Sequence, residues 1–495
     1  MELKTKLVSK RRMYIKRAKE DNSLKSFYHI IAPQKINGEI TPWLMFHPYS
    51  MSLYVIESGE EAKILKLLER YSIKETARIL EISQSKVEEI AEEYTSFLKN
   101  KEPDNFAVPI MPTSFWMIVS NICQMKCRYC YVNSGSAYPT EHTLFMNKET
   151  AILSVEKILE MAPTIATINF FGGEPTLNME TVVAVTDFIK RNYPEISMYI
   201  CTNGCTITED IAKFFARNDI GVTVSIDGYK EANNINRKYL GKDSFSRIIK
   251  SIETLRKYDI NLYIEATYSP DNFILGQAPI DIVTFLANLT SKKVVIFKFM
   301  EIFETLKDIQ ANDFKTTYDL SLVPKFYEYL DYIFESLTSD DPIYDSSIAF
   351  AVGLLLRKQT SLFPCPFSNF ITILVNGDVY GCHLLMSREG YFGNIRENNL
   401  EDKIESKLEY MLERMFISNI DYKSFWYYPL QDICPAYYGG LEKLSQHHQN
   451  ILKENLWGDA SFVWERVLIN YYYIANDKEK EKRLIENIIK EFGKE

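Results

Sequence analysis

Cys123-Gln124-Met125-Lys126-Cys127-Arg128-Tyr129-Cys130 sets three thiols within eight residues of a 495-residue chain. The stretch follows a strand-like run at 115–120, and five more such runs come after it, at 164–171, 197–202, 221–226, 261–268 and 294–300. Amphipathic helical stretches alternate with them at 148–161, 179–191, 208–218, 244–257 and 279–289, and a last one at 323–337 closes the series. Six strand–helix units in succession predict an α/β fold built on a parallel sheet; periodicity does not say whether that sheet closes into a barrel. Such folds carry their active sites on loops at the carboxyl ends of strands, and the thiol trio lies on the first of these loops.

Three thiolates in Cys-x3-Cys-x2-Cys spacing can hold three irons of a [4Fe–4S] cluster and leave the fourth iron open to a ligand. A zinc knuckle is the alternative, but structural zinc takes four ligands, and the nearest further donor, His142, is twelve residues past Cys130. The chain has eight cysteines, which in a reducing compartment are metal ligands or buried thiols rather than disulfides. Cytoplasm is the expected location. The basic N-terminus (Lys10, Arg11, Arg12, Lys16, Arg17) lacks the apolar stretch of a secretory signal, and the longest apolar run, 348–356, stops at Arg357, too short for a membrane span. A net charge of −9 argues against a dedicated nucleic-acid binder.

With Tyr129 before its last cysteine, the trio resembles the radical S-adenosylmethionine superfamily. In that family the open iron binds the cofactor, S-adenosyl-L-methionine, and electron transfer from the cluster cleaves it to methionine and a 5′-deoxyadenosyl radical. The resemblance extends to Gly172-Gly173-Glu174-Pro175 after the second strand, to Thr202-Asn203-Gly204 after the third, and to Ser225-Ile226-Asp227-Gly228 after the fourth. Arg237 is similar to the arginine preceding the next helix in the peptide-modifying branch. The resemblance implies cofactor-binding roles for Tyr129, Gly172, Gly173, Glu174, Pro175, Asn203, Ser225, Asp227 and Arg237, with Ser225 and Arg237 on the cofactor carboxylate. Glu265, on the fifth strand, is the candidate catalytic carboxylate, to bind ribose or orient substrate; a structural ion pair is its alternative. Cys201 and Cys205 are expected as buried thiols.

Cys365, eleven residues, Gly377, four residues and Cys382 resemble the opening of the auxiliary-cluster domains called SPASM and Twitch, with Cys434 on a returning segment. A full SPASM domain carries seven cysteines for two clusters. Three here imply one auxiliary [4Fe–4S] cluster with an iron lacking a cysteine ligand, which water, His383 or a substrate thiolate would fill; zinc is again the alternative. Ahead of the first trio, strand-like runs at 27–31, 43–46 and 52–56 and helical patterns at 60–71, 73–80 and 83–98 suggest a winged helix-turn-helix. Residues 52–100 hold seven Lys or Arg against ten Asp or Glu, the wrong sign for DNA. The module instead resembles the RiPP recognition element of enzymes that modify ribosomally made peptides. The basic lead, net +6 over residues 1–30, would attract an acidic leader or be disordered.

The expected organisation is a recognition module at 1–105, a partial (β/α)6 barrel at 106–337, a linker at 338–360, a Twitch-like auxiliary iron–sulfur domain at 361–445 and C-terminal helices at 446–495. The function implied is maturation of a precursor peptide, with thioether formation from peptide cysteines as the first expectation. Carbon–carbon crosslinking, epimerisation and sulfatase-type oxidation are the alternatives, and a non-catalytic leader-binding scaffold is the alternative of another class. The implied partners are the precursor peptide, whose leader the module binds, and an external electron donor such as flavodoxin or ferredoxin, with no nucleic acid and no membrane.

Overall fold

The computed structural model describes residues 2–36, 38–108, 111–140, 143–290, 293–299, 323–363, 365, 367–419, 426–430 and 461–492. Cys434, Gly439, Gly440, His142 and Met300 lie outside the described residues.

The basic lead is a helix, α1 (Glu2–Glu20). Strands β1 (His29–Ile31), β2 (Trp43–His47) and β3 (Ser52–Ile56) form an antiparallel sheet in the order β1-β2-β3. Helices α2 (Gly59–Leu68), α3 (Ile73–Leu80) and α4 (Gln84–Lys99) follow, each opened by a serine whose hydroxyl accepts an amide of the first turn. Ser72 and Glu75 make a full capping box. Ile30, Met45, Ile56, Ile64, Leu65, Val87, Ile90 and Leu98 bury one apolar cluster between this sheet and these helices.

The alternating region begins with β4 (Ser114–Ser120) and a short β5 (Met125–Cys127), then α5 (Lys148–Met161). It continues through β6 (Thr167–Gly172), α6 (Met179–Asn192), β7 (Ser197–Thr202), α7 (Glu209–Arg217), β8 (Ile220–Ser225) and α8 (Lys230–Asn236). It ends with β9 (Arg237–Tyr239), α9 (Ser244–Leu255), β10 (Leu262–Tyr268), α10 (Pro279–Ala287), β11 (Val294–Phe299) and α11 (Val323–Leu337). Strands β4, β6, β7, β8, β10 and β11 pair in that order, all parallel. Burial alternates along them. In β10, Leu262, Ile264, Ala266 and Tyr268 are buried while Tyr263, Glu265 and Thr267 are half-buried on the opposite face. That second face also carries Trp116, Asn169, Phe171, Tyr199 and Ser225, which are likewise half-buried.

The sheet does not close among the described strands. At the β11 edge it gains β12 (Tyr344–Asp345), parallel. At the β4 edge it gains β13 (Phe370–Ile373), parallel to β4, then β14 (Asp378–Tyr380) and β15 (Tyr391–Asn394), both antiparallel. A hairpin turn at Asn376-Gly377-Asp378 joins β13 to β14 and prolongs the barrel sheet instead of starting a separate one.

Two expectations need correction. The stretch 338–360 is not a bare linker: β12 joins the sheet, and α12 (Ser346–Leu356) is buried at Ile348, Ala349, Ala351, Val352, Leu354 and Leu355. Its nearly all-apolar sequence is that of a helix covered on several sides. The region 361–445, expected to be organised around an auxiliary cluster, also packs a long helix, α13 (Leu400–Met415), whose Leu400, Ile404, Leu408, Met411 and Met415 keep helical spacing on the buried side. The lead α1 docks on α13: Arg17 pairs with Glu413 at 2.8 Å and lies 4.4 Å from the Phe416 ring, and Lys10 pairs with Glu409 at 2.9 Å. Two of the lead's cations are thus committed within the chain. Helices α14 (Ser461–Ala475) and α15 (Lys478–Phe492) close the described chain.

Candidate active site

The loop after β4 is held by backbone. Gly173 N donates to Ser120 O at 2.7 Å and Glu174 N to Ile122 O at 2.8 Å, so the two strand ends interlock. A Cβ on Gly172 would stand 2.2 Å from Ser120 O, and one on Gly173 would stand 2.5 Å from Ile122 O. Gly172 also has φ of 140°, so only glycine fits there. Beyond the loop, β5 pairs antiparallel with β9, with Arg237 opposite Cys127.

Each outer thiol of the trio has amide donors. Cys123 Sγ receives Met125 N and Asn203 Nδ2, both at 3.4 Å, and Cys130 Sγ receives Ser134 N at 3.2 Å. Burial pushes the Cys123 thiol up to about 11 and the Cys127 thiol up to about 12, and the three thiols repel one another's charge. As the chain stands, no three His, Cys, Asp or Glu side chains among the described residues close on one metal-ion point. The donor set fits an iron–sulfur cluster: three neighbouring sulfurs, N–H groups aimed at two of them, and glycine backbone behind. The iron ions of a bound cluster would also return the raised thiols to thiolates.

Asn203 links the loop to the third strand end. Its Oδ1 accepts Cys205 N at 2.9 Å and Gln124 Nε2 at 3.3 Å. A backbone N–H can only donate, so the amide oxygen is fixed on that side and Nδ2 must face the Cys123 sulfur. Asn203 N in turn donates to Glu174 Oε2 at 2.7 Å, while Glu174 Oε1 accepts the hydroxyls of Thr176 and Thr202 at 2.6 and 2.7 Å. Glu174 is 1% exposed; burial raises its pKa and these hydrogen bonds oppose the rise. Its carboxylate ties the second strand end to the third.

A second buried network lies behind Cys127. Asp227 accepts Arg237 Nε at 3.0 Å, Thr267 N at 3.1 Å and the Tyr129 hydroxyl, and the Arg237 guanidinium lies 5.5 Å from the Tyr129 ring. Asp227 is 0% and Arg237 7% exposed. Burial alone would lower the Arg237 pKa, but Asp227 beside it raises it well above the usual value. Tyr129, Asp227 and Arg237 therefore meet as one unit that the sequence scattered over three motifs. Ser225 and Glu265 are register partners on adjacent strands, both on the half-buried face. Pro175 opens a short 3-10 turn after Glu174. Cys201 and Cys205 are half-buried rather than buried: Cys201 lies on the open face of β7, and Cys205 Sγ lies 3.9 Å from Met125 Sδ.

Cys365 and Cys382 are each 8% exposed, and Cys382 Sγ accepts Leu384 N at 3.4 Å. The next residue, His383, stacks on Trp116 of β4 with ring centroids 4.3 Å apart, and Phe171 stands 5.4 Å from it. This contact brings the segment after β14 onto the open face of the barrel. Sequence reading did not single out Trp116 or Phe171; their places on alternating residues of two strands are the signal that could have found them.

Residues 117–272 match the family model of the Radical SAM superfamily. Over these residues the chain is similar to a Radical SAM domain. Among similar proteins, the cysteine-type anaerobic sulfatase-maturating enzyme of Clostridium perfringens (strain ATCC 13124) is 28% identical over 304 residues, 57% of this chain and 77% of that one. The radical SAM cyclopropyl synthase TigE of Paramaledivibacter caminithermalis is 30% identical over 192 residues, 36% of this chain and 40% of that one. The solved structure of native anSMEcpe with bound AdoMet superposes with a TM-score of 0.56 at 20% identity, covering 73% of this chain and all of that one; this likeness concerns the fold. No described helix is long and apolar enough to cross a membrane.

Proposed function

We propose that this chain is a radical S-adenosylmethionine enzyme that matures a ribosomally made precursor peptide, forming thioether crosslinks from peptide cysteines. The observation that carries the peptide substrate is the N-terminal sheet. At its β1 edge the Ile30 amide donates to Glu69 and the Ile30 carbonyl accepts Lys66 Nζ at 2.5 Å. The other edge, β3, is then the one that takes an extended leader as an added strand, which supports reading residues 25–100 as a RiPP recognition element of winged helix-turn-helix form. Tethering the leader there raises the local concentration of the core peptide at the barrel mouth.

When bound, the cluster and S-adenosylmethionine supply a 5′-deoxyadenosyl radical that takes hydrogen from a peptide carbon. Cys123, Cys127 and Cys130 are the cluster ligands, and Gly172 and Gly173 leave room for the cofactor. Arg237, steadied through Nε by Asp227, would hold the cofactor carboxylate together with Ser225. Glu265, beside Ser225, orients ribose or substrate. Cys365, Cys382 and Cys434 would hold one auxiliary [4Fe–4S] cluster, and that group would bind a peptide thiol and keep it deprotonated.

Sulfatase-type oxidation of a cysteine is the second reading, favoured by the similarity to the sulfatase-maturating enzyme over 77% of its length. Anaerobic turnover with S-adenosylmethionine and a cysteine-containing precursor peptide separates the readings. Deoxyadenosine together with a peptide lighter by two hydrogens per crosslink is the expected result. A formylglycine product supports the second reading, and a protein that makes no deoxyadenosine is a leader-binding scaffold.

A further inference from the structure

The ribbon β5/β9 has two unlike faces. Alternation sends Met125, Cys127, Arg237 and Tyr239 inward, and Met125 and Arg237 are buried. The outward face carries Lys126 directly opposite Lys238, both exposed. Just past the ends of the two strands stand Arg128, 44% exposed at its side chain, and Leu240, 68% exposed in the turn that follows β9. Arg128 is neutralised by Asp271 at 2.7 Å; among the described residues neither lysine has an ion pair. Like charges directly opposite on paired strands destabilise a ribbon, and nothing in the local packing requires two lysines there. They form a concentrated positive spot on a chain of net charge −9. A single layer of backbone separates that spot from the Cys127 thiol.

We propose that this outer face is the docking surface for an acidic one-electron carrier protein, with Lys126 and Lys238 as its electrostatic anchors and Leu240 as its apolar contact. The inference rests on the reading of Cys123, Cys127 and Cys130 as cluster ligands. One electron leaves the reduced carrier, which is oxidised by one unit, and enters the cluster, which is reduced by one unit; no bond forms or breaks. Opposite charge brings the carrier to the place where the protein layer over the cluster ligand is thinnest.

The test mixes reduced flavodoxin anaerobically with the cluster-loaded protein and follows cluster bleaching at several salt concentrations, alongside the affinity of oxidised flavodoxin for the same protein. The wild-type rate is expected to fall steeply with salt. The Lys126→Glu, Lys238→Glu double variant is expected to lose tenfold or more of both rate and affinity at low salt, whereas Lys126→Arg, Lys238→Arg retains both. Reduction by photoexcited deazaflavin, which needs no docking, is expected to be unchanged in every variant. A wild-type rate indifferent to salt, or a charge-reversed variant as fast as wild type, overturns the proposal. So does a variant that loses precursor-peptide binding while accepting electrons normally, which would make the face a peptide surface. A wild-type protein that takes up no cluster refutes the ligand assignment instead, and its iron content and visible absorbance tell that outcome apart.

Discussion

The chain has two cysteine regions, and they are built differently. Around Cys123, Cys127 and Cys130 the sulfurs receive amides from three directions, two carboxylates are buried with their partners, and glycine backbone interlocks two strand ends. Around Cys365 and Cys382 the surroundings are mainly aromatic and aliphatic: Phe363 and Phe367, two residues either side of the first in sequence, are buried, the Trp116–His383 stack adjoins the second, and the Leu384 amide reaches the Cys382 sulfur. Donors aimed at sulfur stabilise a negative cluster and raise its potential, as a centre that must be reduced requires. An apolar shell instead suits a site where a substrate thiolate is held out of water. Under the proposed function, the first region takes up the electron and the second holds the substrate thiolate.

The most drastic way to break this assignment is to replace Cys123, Cys127 and Cys130 together with Ala. Deoxyadenosine formation is expected to vanish while the iron bound by the second region remains, as iron analysis and product chromatography would show. Cys382→Ala should do the converse: cofactor cleavage stays measurable and crosslinked peptide is lost from the mass spectrum. Equal loss of both products in that variant would merge the two regions into one function.

Asn203→Ala sharpens the comparison within the first region. It removes the side-chain donor to the Cys123 sulfur while Met125 N remains. The expected result is a more negative cluster midpoint, by about 59 mV for a tenfold change in a one-electron equilibrium, read by potentiometric titration. Asn203→Ala should not alter leader binding.

The last prediction concerns the N-terminal module. His47 is 0% exposed; its Nε2–H donates to Lys25 O at 3.0 Å and its Nδ1 accepts the Ser50 hydroxyl at 2.7 Å, so it is held neutral. Burial pulls its pKa down to about 4. A depressed folded-state pKa means that the unfolded chain binds the proton first. The contribution is present above about 6.5 and is lost as pH falls toward about 4, amounting to about 3 kcal/mol. Acid should therefore loosen this module before the barrel, and His47→Gln should flatten the pH dependence of its unfolding measured by hydrogen exchange.

Much of the framework was legible because it rests on short-range rules. Alternation and helical spacing located six parallel strands and their helices within a few residues, since each element must bury one face. Spacing alone put three thiols on the first strand-end loop. The helix α13 was not legible in a segment expected to be held by metal, and α12 was hidden in an expected linker because its all-apolar run has no distinct polar face.

Tertiary structure alone decided what the motifs do to one another. Only pairing of distant strands shows that the Gly-Gly-Glu-Pro carboxylate holds the Asn203 backbone, that Asn203 turns its amide to Cys123, and that Asp227 joins Tyr129 to Arg237. Likewise, only the parallel pairing of β13 with β4 shows that the auxiliary hairpin prolongs the barrel sheet and brings His383 onto Trp116. The reason is physical. Burial periodicity is a local property of the chain, whereas a hydrogen bond between residues 80 or 250 positions apart exists only after the sheet has chosen its strand order.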